Sequence, residues 1–338
     1  MESSWNLLTT TGSETKYDIL VSKALGFLTS VTHSQKHAQS FNDEAIASQV
    51  LEKVILPNVV LRDSDVELFE DEPIDFIRND LEGSDSETRR RAAIDFLKQL
   101  LVHFPQMITS LGFKYINHFL SEYSQNPKVN WRSKDTAIYL FSSIAVKGTI
   151  TASQGAKNIN ELVNVVEFFQ SNIAKDLIAD TGIAPILKVD SIKYLYIFRS
   201  QISQTQWHDA FPLLVKHLGA TEYVIYSYAA MALERVMALR TETGQPVISQ
   251  DDVKPLADQL LQHLFQLIES DANPAKMQEN EFLMRCLMRV LIVIRDGVIP
   301  MVDRVLPHMV SITHAIGANP SNPRFYYYHF EAIGALVR

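Results

Sequence analysis

The segment LADQLLQHLFQLI, residues 256–268, repeats its apolar side chains at intervals of three and four residues. One face of a predicted helix would carry the apolar residues Leu256, Leu260, Leu264 and Leu267. The segment FLMRCLMRVLIVI, residues 282–294, has the same periodicity and follows after a short connection. Two successive amphipathic helices, each with an apolar face to bury, indicate a pair of helices that pack against each other.

Three further pairs of amphipathic segments occur along the chain, at residues 115–123 and 135–145, 211–219 and 228–239, and 302–312 and 328–338. Second helices of pairs are predicted to begin near Arg132, Glu222, Asn280 and Pro323, and that of one more pair near Pro185. Their spacing averages close to the length of a HEAT repeat, about 40–47 residues. Strand signals are nearly absent, because no run alternates apolar and polar residues between Asn-Gly or Asp-Gly turns. The sequence therefore predicts an all-α fold, a HEAT-repeat α-solenoid in which about fourteen helices form a superhelical stack of antiparallel pairs.

The whole chain, residues 1–338, is predicted to be the central HEAT-repeat segment of a longer solenoid. Repeat arrays end in capping repeats with a polar outer face. This sequence instead begins within a helical pattern and stops within an apolar stripe at EAIGALVR.

Several helix starts are predicted from capping side chains that precede Glu or Gln by three residues. This spacing begins at Ser84 and at Ser203, and Asn158 begins a similar arrangement with Asn as the cap. We therefore expect helices to start close to these three positions.

The composition narrows the classes of partner. The net charge of -8 argues against a nucleic-acid or anionic-membrane surface, because such partners require clustered Lys and Arg. No stretch approaches the roughly 20 apolar residues of a membrane span, so no membrane insertion is expected. A charged partner of this protein is therefore expected to be basic.

Catalytic and metal-binding motifs are missing from the sequence. It contains no nucleotide-binding glycine loop, no G-x-S-x-G and no H-E-x-x-H, which predicts that the protein is not an enzyme and needs no cofactor. His33 and His37 could face one side of a helix, but a zinc site needs three or four ligands. The single cysteine, Cys286, lies within an apolar stripe, where packing is the expected role.

One stretch interrupts the helical pattern: RDSDVELFEDEPIDFIRNDLEGSDSETRRR, residues 62–91. Seven carboxylates occur in its first half without a basic residue among them, at Asp63, Asp65, Glu67, Glu70, Asp71, Glu72 and Asp75. Connections between paired helices usually take about 2–8 residues. We therefore predict an acidic insertion at about residues 58–85, between two helices of one repeat.

The arginine block, Arg89, Arg90 and Arg91, opens the helix that follows the insertion. Exposed cations in a first helical turn are disfavoured by about 0.3–1 kcal/mol each, so an anionic group is expected nearby. The available groups include the insertion carboxylates and four residues between the insertion and the helix, Asp80, Glu82, Asp85 and Glu87. Three hypotheses remain: a latch that docks on its own arginines and sets the curvature, an acidic prong for a basic partner, or a solvated loop.

Several stretches resemble one family of nuclear transport receptors. EPIDFIRNDLEGSDSETRRRAAIDFLKQL at 72–100, NPKVNWRSKDTAIYL at 126–140, YSYAAMALERVMALR at 226–240 and PRFYYYHFEAIGALVR at 323–338 resemble the exportins of the karyopherin-β family that return importin-α to the cytoplasm. The opening WNLLTTTGSETKYDILVSKALGFLTSV is similar to the same receptors. The resemblance extends in order over essentially the whole chain.

The resemblance implies a HEAT superhelix that wraps importin-α together with the GTP form of Ran and shuttles between nucleus and cytoplasm through the pore. It also implies contact with nucleoporins, and it implies no catalysis and no bound nucleic acid. In that family an insertion in a central repeat touches the GTPase and lies at a hinge. The seven carboxylates and the arginine block are therefore expected to be Ran-contacting or hinge residues. The alternative is a static HEAT scaffold for a multiprotein assembly, which would show no nucleotide dependence.

Overall fold

A computed structural model describes residues 2–81, 88–151 and 154–337, and its fold is all-α as predicted. Within these residues, 15 α-helices have seven residues or more, close to the expected number. The chain forms two compact units. Unit 1 comprises Met1–Ile150, Ala156–Asn172 and Ala179–Asp190, and unit 2 comprises Thr151–Gly155, Ile173–Ile178 and Ser191–Arg338.

The first half of the chain contains these elements: α1 Glu2–Thr10, α2 Asp18–Thr32, α3 Gln35–Ala38, α4 Glu44–Val50, a π-helical turn Leu51–Ile55, α5 Leu56–Val59, α6 Asp63–Asp71, α7 Pro73–Asp80, α8 Arg89–His103, α9 Pro105–Gln125, α10 Trp131–Ala145, β1 Val146–Thr151 and β2 Gly155–Ile159. Short 3₁₀ turns lie at Thr15–Tyr17 and Gln39–Phe41.

The second half continues with α11 Val165–Phe168, a π-helical turn Phe169–Ile173, α12 Ala174–Ile178, α13 Pro185–Ile197, α14 Gln204–His217, α15 Tyr223–Ala238, α16 Gln250–Val253, α17 Ala257–Ile268, α18 Pro274–Met277, α19 Glu281–Ile294, α20 Val302–Ala318 and α21 Pro323–Val337. Short 3₁₀ segments lie at Lys254–Leu256 and Arg295–Met301.

The predicted helix pairs pack together. In unit 1, α9 packs against α10, and α8 contacts α2, α9 and α10. Three apolar residues of α8 at helical spacing, Ala93, Leu97 and Leu100, are fully buried. In unit 2, the pairs α14 with α15, α17 with α19, and α20 with α21 are all in contact, and α19 also packs against α15 and α21. The buried face of α17 is centred on Leu260 and Leu264, while Leu267 and, in the preceding 3₁₀ segment, Leu256 are half-buried.

A short β-hairpin was not anticipated. Strand β1 pairs with β2, and the turn contains neither Asn-Gly nor Asp-Gly. Gly155 has a φ of +76°, and a Cβ there would lie 2.3 Å from the carbonyl oxygen of Ile197, so the position requires glycine. The prediction of a helix start at Asn158 was wrong, because Asn158 belongs to β2.

Of the two remaining predicted helix starts, Ser84 and Ser203, the one at Ser203 is confirmed. Ser203 caps α14 with a complete capping box, in which the backbone nitrogen of Gln206 donates to Ser203 Oγ at 3.3 Å. The start of α11 is capped instead by Asn164, whose side-chain oxygen accepts from the Glu167 nitrogen at 3.0 Å. Ser84 lies outside the described residues, and Thr88 caps α8.

Buried groups in unit 2 fit a packing role. Cys286 is fully buried within α19, and burial raises the pKa of its thiol. Among the described residues, no His, Cys, Asp or Glu cluster has the arrangement of a metal site, and His33 and His37 belong to no such group. In the same residues, no helix combines the length and the apolar character needed to cross a membrane.

His329 of α21 is expected to make unit 2 sensitive to acid. Its Nε2 lies 2.8 Å from Thr313 Oγ1, which itself donates to the Met309 carbonyl, so Nε2 is the donor and Nδ1 carries no proton. Nδ1 is buried and has no hydrogen-bond partner among the described residues. Burial lowers the pKa of His329 to about 4, because protonation would create a buried cation without a counter-charge.

The sign of this effect follows from proton linkage. Between pH 6.5 and about 4 the unfolded chain binds a proton at His329 and the folded chain does not, so stability falls as the pH falls. The loss should approach about 3 kcal/mol by pH 4. Denaturant unfolding over this pH range, compared between the wild type and His329→Gln, measures the effect. Parallel curves for the two proteins would contradict it.

Candidate functional site

The acidic insertion forms two short helices, α6 and α7, which we call the acidic helix pair. Phe69 and Ile77 are buried, and the Phe69 and Phe76 rings meet edge to face with centroids 5.2 Å apart. The backbone nitrogen of Arg62 donates to Asp65 Oδ2 at 2.8 Å and thereby fixes the start of α6. The insertion is therefore folded over these residues, and the solvated-loop hypothesis does not describe them. Its last part, residues 82–85, lies outside the described residues.

Six of the seven carboxylates face solvent, and four of them lack an ion-pair partner among the described residues: Glu67, Glu70, Asp71 and Glu72, which we call the exposed carboxylates. Within the part of the chain that the structure describes, they form no ion pair and no side-chain hydrogen bond. The other three carboxylates have partners. Asp65 pairs with Arg62 at 3.2 Å, Asp75 with Arg78 at 3.1 Å, and Asp63 with Arg132 at 2.5 Å. The charge available to another molecule is thus concentrated in the exposed carboxylates.

The first anchor of the acidic helix pair is the carboxylate of Asp18, at the start of α2. Arg62 donates to both oxygens of Asp18, at 2.8 and 3.0 Å, and Arg89 Nε donates to the same carboxylate at 2.5 Å. Arg89 is 6% exposed and also donates to the carbonyl oxygens of Gly12 and Glu14. The hydrogen bond to Asp18 raises the pKa of Arg62 above its usual range. Asp18 therefore ties the beginning of the insertion to the beginning of α8.

Arg90 joins α8 to α10. Its Nη2 donates to Asp135 Oδ2 at 2.6 Å, and Asp135 is 1% exposed. The guanidinium carbon also lies 3.8 Å from the centre of the Tyr139 ring. Burial lowers the pKa of Arg90, but the neighbouring carboxylates, that of Asp135 foremost, raise it above the usual value. Asp80, one of the predicted partners, contributes to this electrostatic effect.

Two further contacts hold the acidic helix pair at its ends. Arg91 Nη2 donates to the carbonyl oxygen of Leu81, just after α7, at 3.2 Å. Arg132 Nη2 at the start of α10 donates to Asp63 Oδ1 at the start of α6. The insertion is thus fixed at both ends, and the exposed carboxylates lie between these anchors along the chain.

Among the described residues, Arg89 pairs with Asp18 and Arg90 with Asp135, and neither carboxylate was among the predicted partners. Of the predicted group, Glu82, Asp85 and Glu87 lie outside the described residues. Asp18 and Asp135 carry no local sequence signal, because they lie 71 and 45 residues from their arginine partners.

Comparison with known proteins identifies the chain's relatives. The profile of the Cse1 family matches residues 1–233, and the profile described as CAS/CSE protein, C-terminus, matches residues 234–338. The chain is 43% identical over 340 residues to the importin alpha re-exporter of Saccharomyces cerevisiae, covering 100% of this chain and 35% of that protein. It is 40% identical over 335 residues to exportin-2 of Homo sapiens, covering 99% of this chain and 34% of that protein. The chain therefore spans about a third of the length of these relatives.

Solved structures show the same relationship. The exportin Cse1 in its cargo-free, cytoplasmic state matches with a TM-score of 0.90 and 42% identity, over 99% of this chain and 35% of that one. The karyopherin Kap121p matches with a TM-score of 0.62 at 15% identity, over 99% of this chain and 29% of that one, which shows a shared fold alone.

Proposed function

Because the chain belongs to the Cse1/CAS family of importin-α re-exporters, we propose that it is the central segment of a nuclear export receptor. The receptor carries importin-α from the nucleus to the cytoplasm in a complex with the GTP form of Ran. The observation that carries this proposal is the 40–43% identity to importin-α re-exporters and exportin-2 along the whole chain. The receptor shuttles through the nuclear pore, where it contacts nucleoporins.

The acidic helix pair acts as the contact for the GTPase in this proposal. Its exposed carboxylates have no partners among the described residues, and they are held on a folded element rather than on a loop. Clustered carboxylates attract a basic patch and accelerate encounter with it. The four carboxylates would thus bind Ran through basic side chains.

In this proposal the acidic helix pair also acts as a hinge, because of the ion pairs that anchor its first residues. Asp18, Arg62 and Arg89 join the starts of three helices, α2, α6 and α8. In a repeat protein each unit contacts mainly its neighbours, so small rotations at such a junction add up to a change in curvature. A GTPase bound to the acidic helix pair would favour one curvature. Importin-α that binds the same curvature would then be bound more tightly, with a coupling of about 1–3 kcal/mol.

The test removes the negative charge of the exposed carboxylates and keeps the shape of their side chains. In the full-length receptor, Glu67→Gln, Glu70→Gln, Asp71→Asn and Glu72→Gln are combined, and importin-α affinity is measured with and without the GTP form of Ran. We expect the promotion by Ran, about 5–150-fold for a coupling of this size, to fall to near unity. Importin-α affinity without Ran should stay unchanged.

A matched control removes four exposed carboxylates of unit 1 outside the acidic helix pair: Glu44, Asp95, Glu161 and Glu167, each changed to its amide. This control should keep the full promotion by Ran. Promotion that survives in the first variant would refute the assignment of the acidic helix pair. Importin-α binding that never depends on Ran in the wild type would instead support the static scaffold.

A further inference from the structure

Three arginines of unit 2 surround one buried carboxylate. Glu234 of α15 is 2% exposed, and its oxygens lie 3.3 Å from Arg235 Nε, 3.4 Å from Arg285 Nε and 3.3 Å from Arg289 Nη2. Arg285 and Arg289 lie one turn apart on α19, which packs against α15. We call Arg235, Arg285 and Arg289 the arginine cluster.

The positive charge of the arginine cluster is not balanced. In the part of the chain that the structure describes, Glu234 is the only carboxylate with which these arginines form an ion pair, so three guanidinium charges face one carboxylate. The pKa of the neighbouring Arg199 is lowered to about 10, first by burial and also by the charge of Arg235. An excess of positive charge at this point contrasts with the net charge of -8 of the chain.

The cluster also keeps unused hydrogen-bond donors. The three side chains are 17%, 28% and 26% exposed, so none of them is fully buried. Each guanidinium has five N–H donors, and Glu234 accepts from only a few of them. Arg289 Nε is buried and has no partner among the described residues, while the guanidinium carbon of Arg285 lies 5.4 Å from the centre of the Tyr328 ring. Packing therefore holds the arginines in place while donors remain available.

The spacing of these donors favours a run of separate carboxylates. Residues four apart on a helix lie about 5–6 Å from each other, so Arg285 and Arg289 can each receive a different side chain. Glu234 occupies the centre of the cluster, which leaves the remaining donors around it. Carboxylates also match the planar fork of a guanidinium. We propose that the arginine cluster is a docking site for an acidic peptide segment of a partner protein, whose Asp or Glu side chains bind the guanidinium groups around Glu234.

The test uses a labelled oligo-glutamate peptide as the probe and the full-length receptor as the protein. The combined variant Arg285→Gln and Arg289→Gln removes two charges and leaves the Arg235–Glu234 pair. We expect its affinity for the peptide to fall about tenfold, as for the loss of a central charged contact. The combined variant Arg285→Lys and Arg289→Lys keeps both charges but loses the planar fork of the guanidinium groups. Its affinity for the peptide should therefore lie between that of the wild type and that of the glutamine variant. An oligo-glutamine peptide should not bind the wild type.

The matched control changes Arg304 and Arg324 to glutamine, because each is an exposed arginine that pairs with a single carboxylate in the same unit. It should leave the affinity unchanged. An equal loss in this control, or no loss in the first variant, would overturn the proposal. Tighter binding of inorganic phosphate or a short RNA through Arg285 and Arg289 would also overturn it, in favour of a phosphate ligand. The cluster shares no residue with the acidic helix pair, so this test and that of the proposed function fail separately.

Discussion

Replacing Glu234 with glutamine is expected to lower the free energy of unfolding of unit 2 by about 3–5 kcal/mol. Glutamine has nearly the same shape, so the change removes the negative charge and little else. The guanidinium groups of Arg235, Arg285 and Arg289 would then repel one another around a neutral amide, partly away from water. Loss of one partner from a buried ion pair is costly because the remaining charge stays desolvated.

Hydrogen exchange of the α15 and α19 amides, together with denaturant unfolding, measures this effect. Both helices should exchange faster, because local opening follows the stability of the packed element. Glu279→Gln is the control, since Glu279 pairs at the surface with Lys276 and its loss should cost about 0–1 kcal/mol. Equal destabilisation by the two changes would show that Glu234 does not balance the arginine cluster.

Replacing Asp18 with asparagine is expected to cost about 4 kcal/mol in unit 1. Asp18 accepts hydrogen bonds from both Arg62 and Arg89, and Arg89 is almost fully buried. Asparagine can accept fewer of these bonds and supplies no counter-charge. The amides of α2, α6 and α8 should therefore lose protection together, because these three helices begin at this junction.

Hydrogen exchange resolved by helix distinguishes a local junction from a general loss of stability. The amides of α14 and α15 in unit 2 serve as the internal reference and should keep their protection. Asp43→Asn is a matched change at another helix start, where Asp43 accepts a single hydrogen bond within the described part of the chain, from the Ile46 backbone nitrogen. Asparagine caps a helix about as well as aspartate, so this control should lose little stability. If both variants lose the same protection, the Asp18 junction has no special role.

The helix pairs were predictable from the sequence because their cause is local. An apolar side chain every three or four residues produces an amphipathic helix wherever it occurs, and such helices bury their faces against neighbours along the chain. Ser203 was a correct capping signal for the same reason, since its partner Gln206 lies within the same turn. The hairpin at β1 and β2 was missed because its turn residues are not those of common two-residue turns.

The candidate site was predictable only in part. The run of carboxylates was visible in the sequence, and the structure adds that three of the exposed carboxylates lie on α6 and that Glu72 lies directly between α6 and α7. Nothing local indicated that Asp18 would pair with Arg89 and Asp135 with Arg90. The sequence also left the arginine cluster unnoticed, because Arg289 lies 55 residues from Glu234 along the chain.

The sequence by itself determined the all-α fold, the pairing of helices and the acidic character of the insertion, because periodicity and charge act over a few residues. Tertiary structure decided which charges are neutralised and which stay available. Ion pairs such as Arg89 with Asp18 or Arg289 with Glu234 form between helices that are distant in the chain, and burial decides how strongly each charge needs a partner. The exposed carboxylates and the excess positive charge of the arginine cluster remain after those pairs have formed.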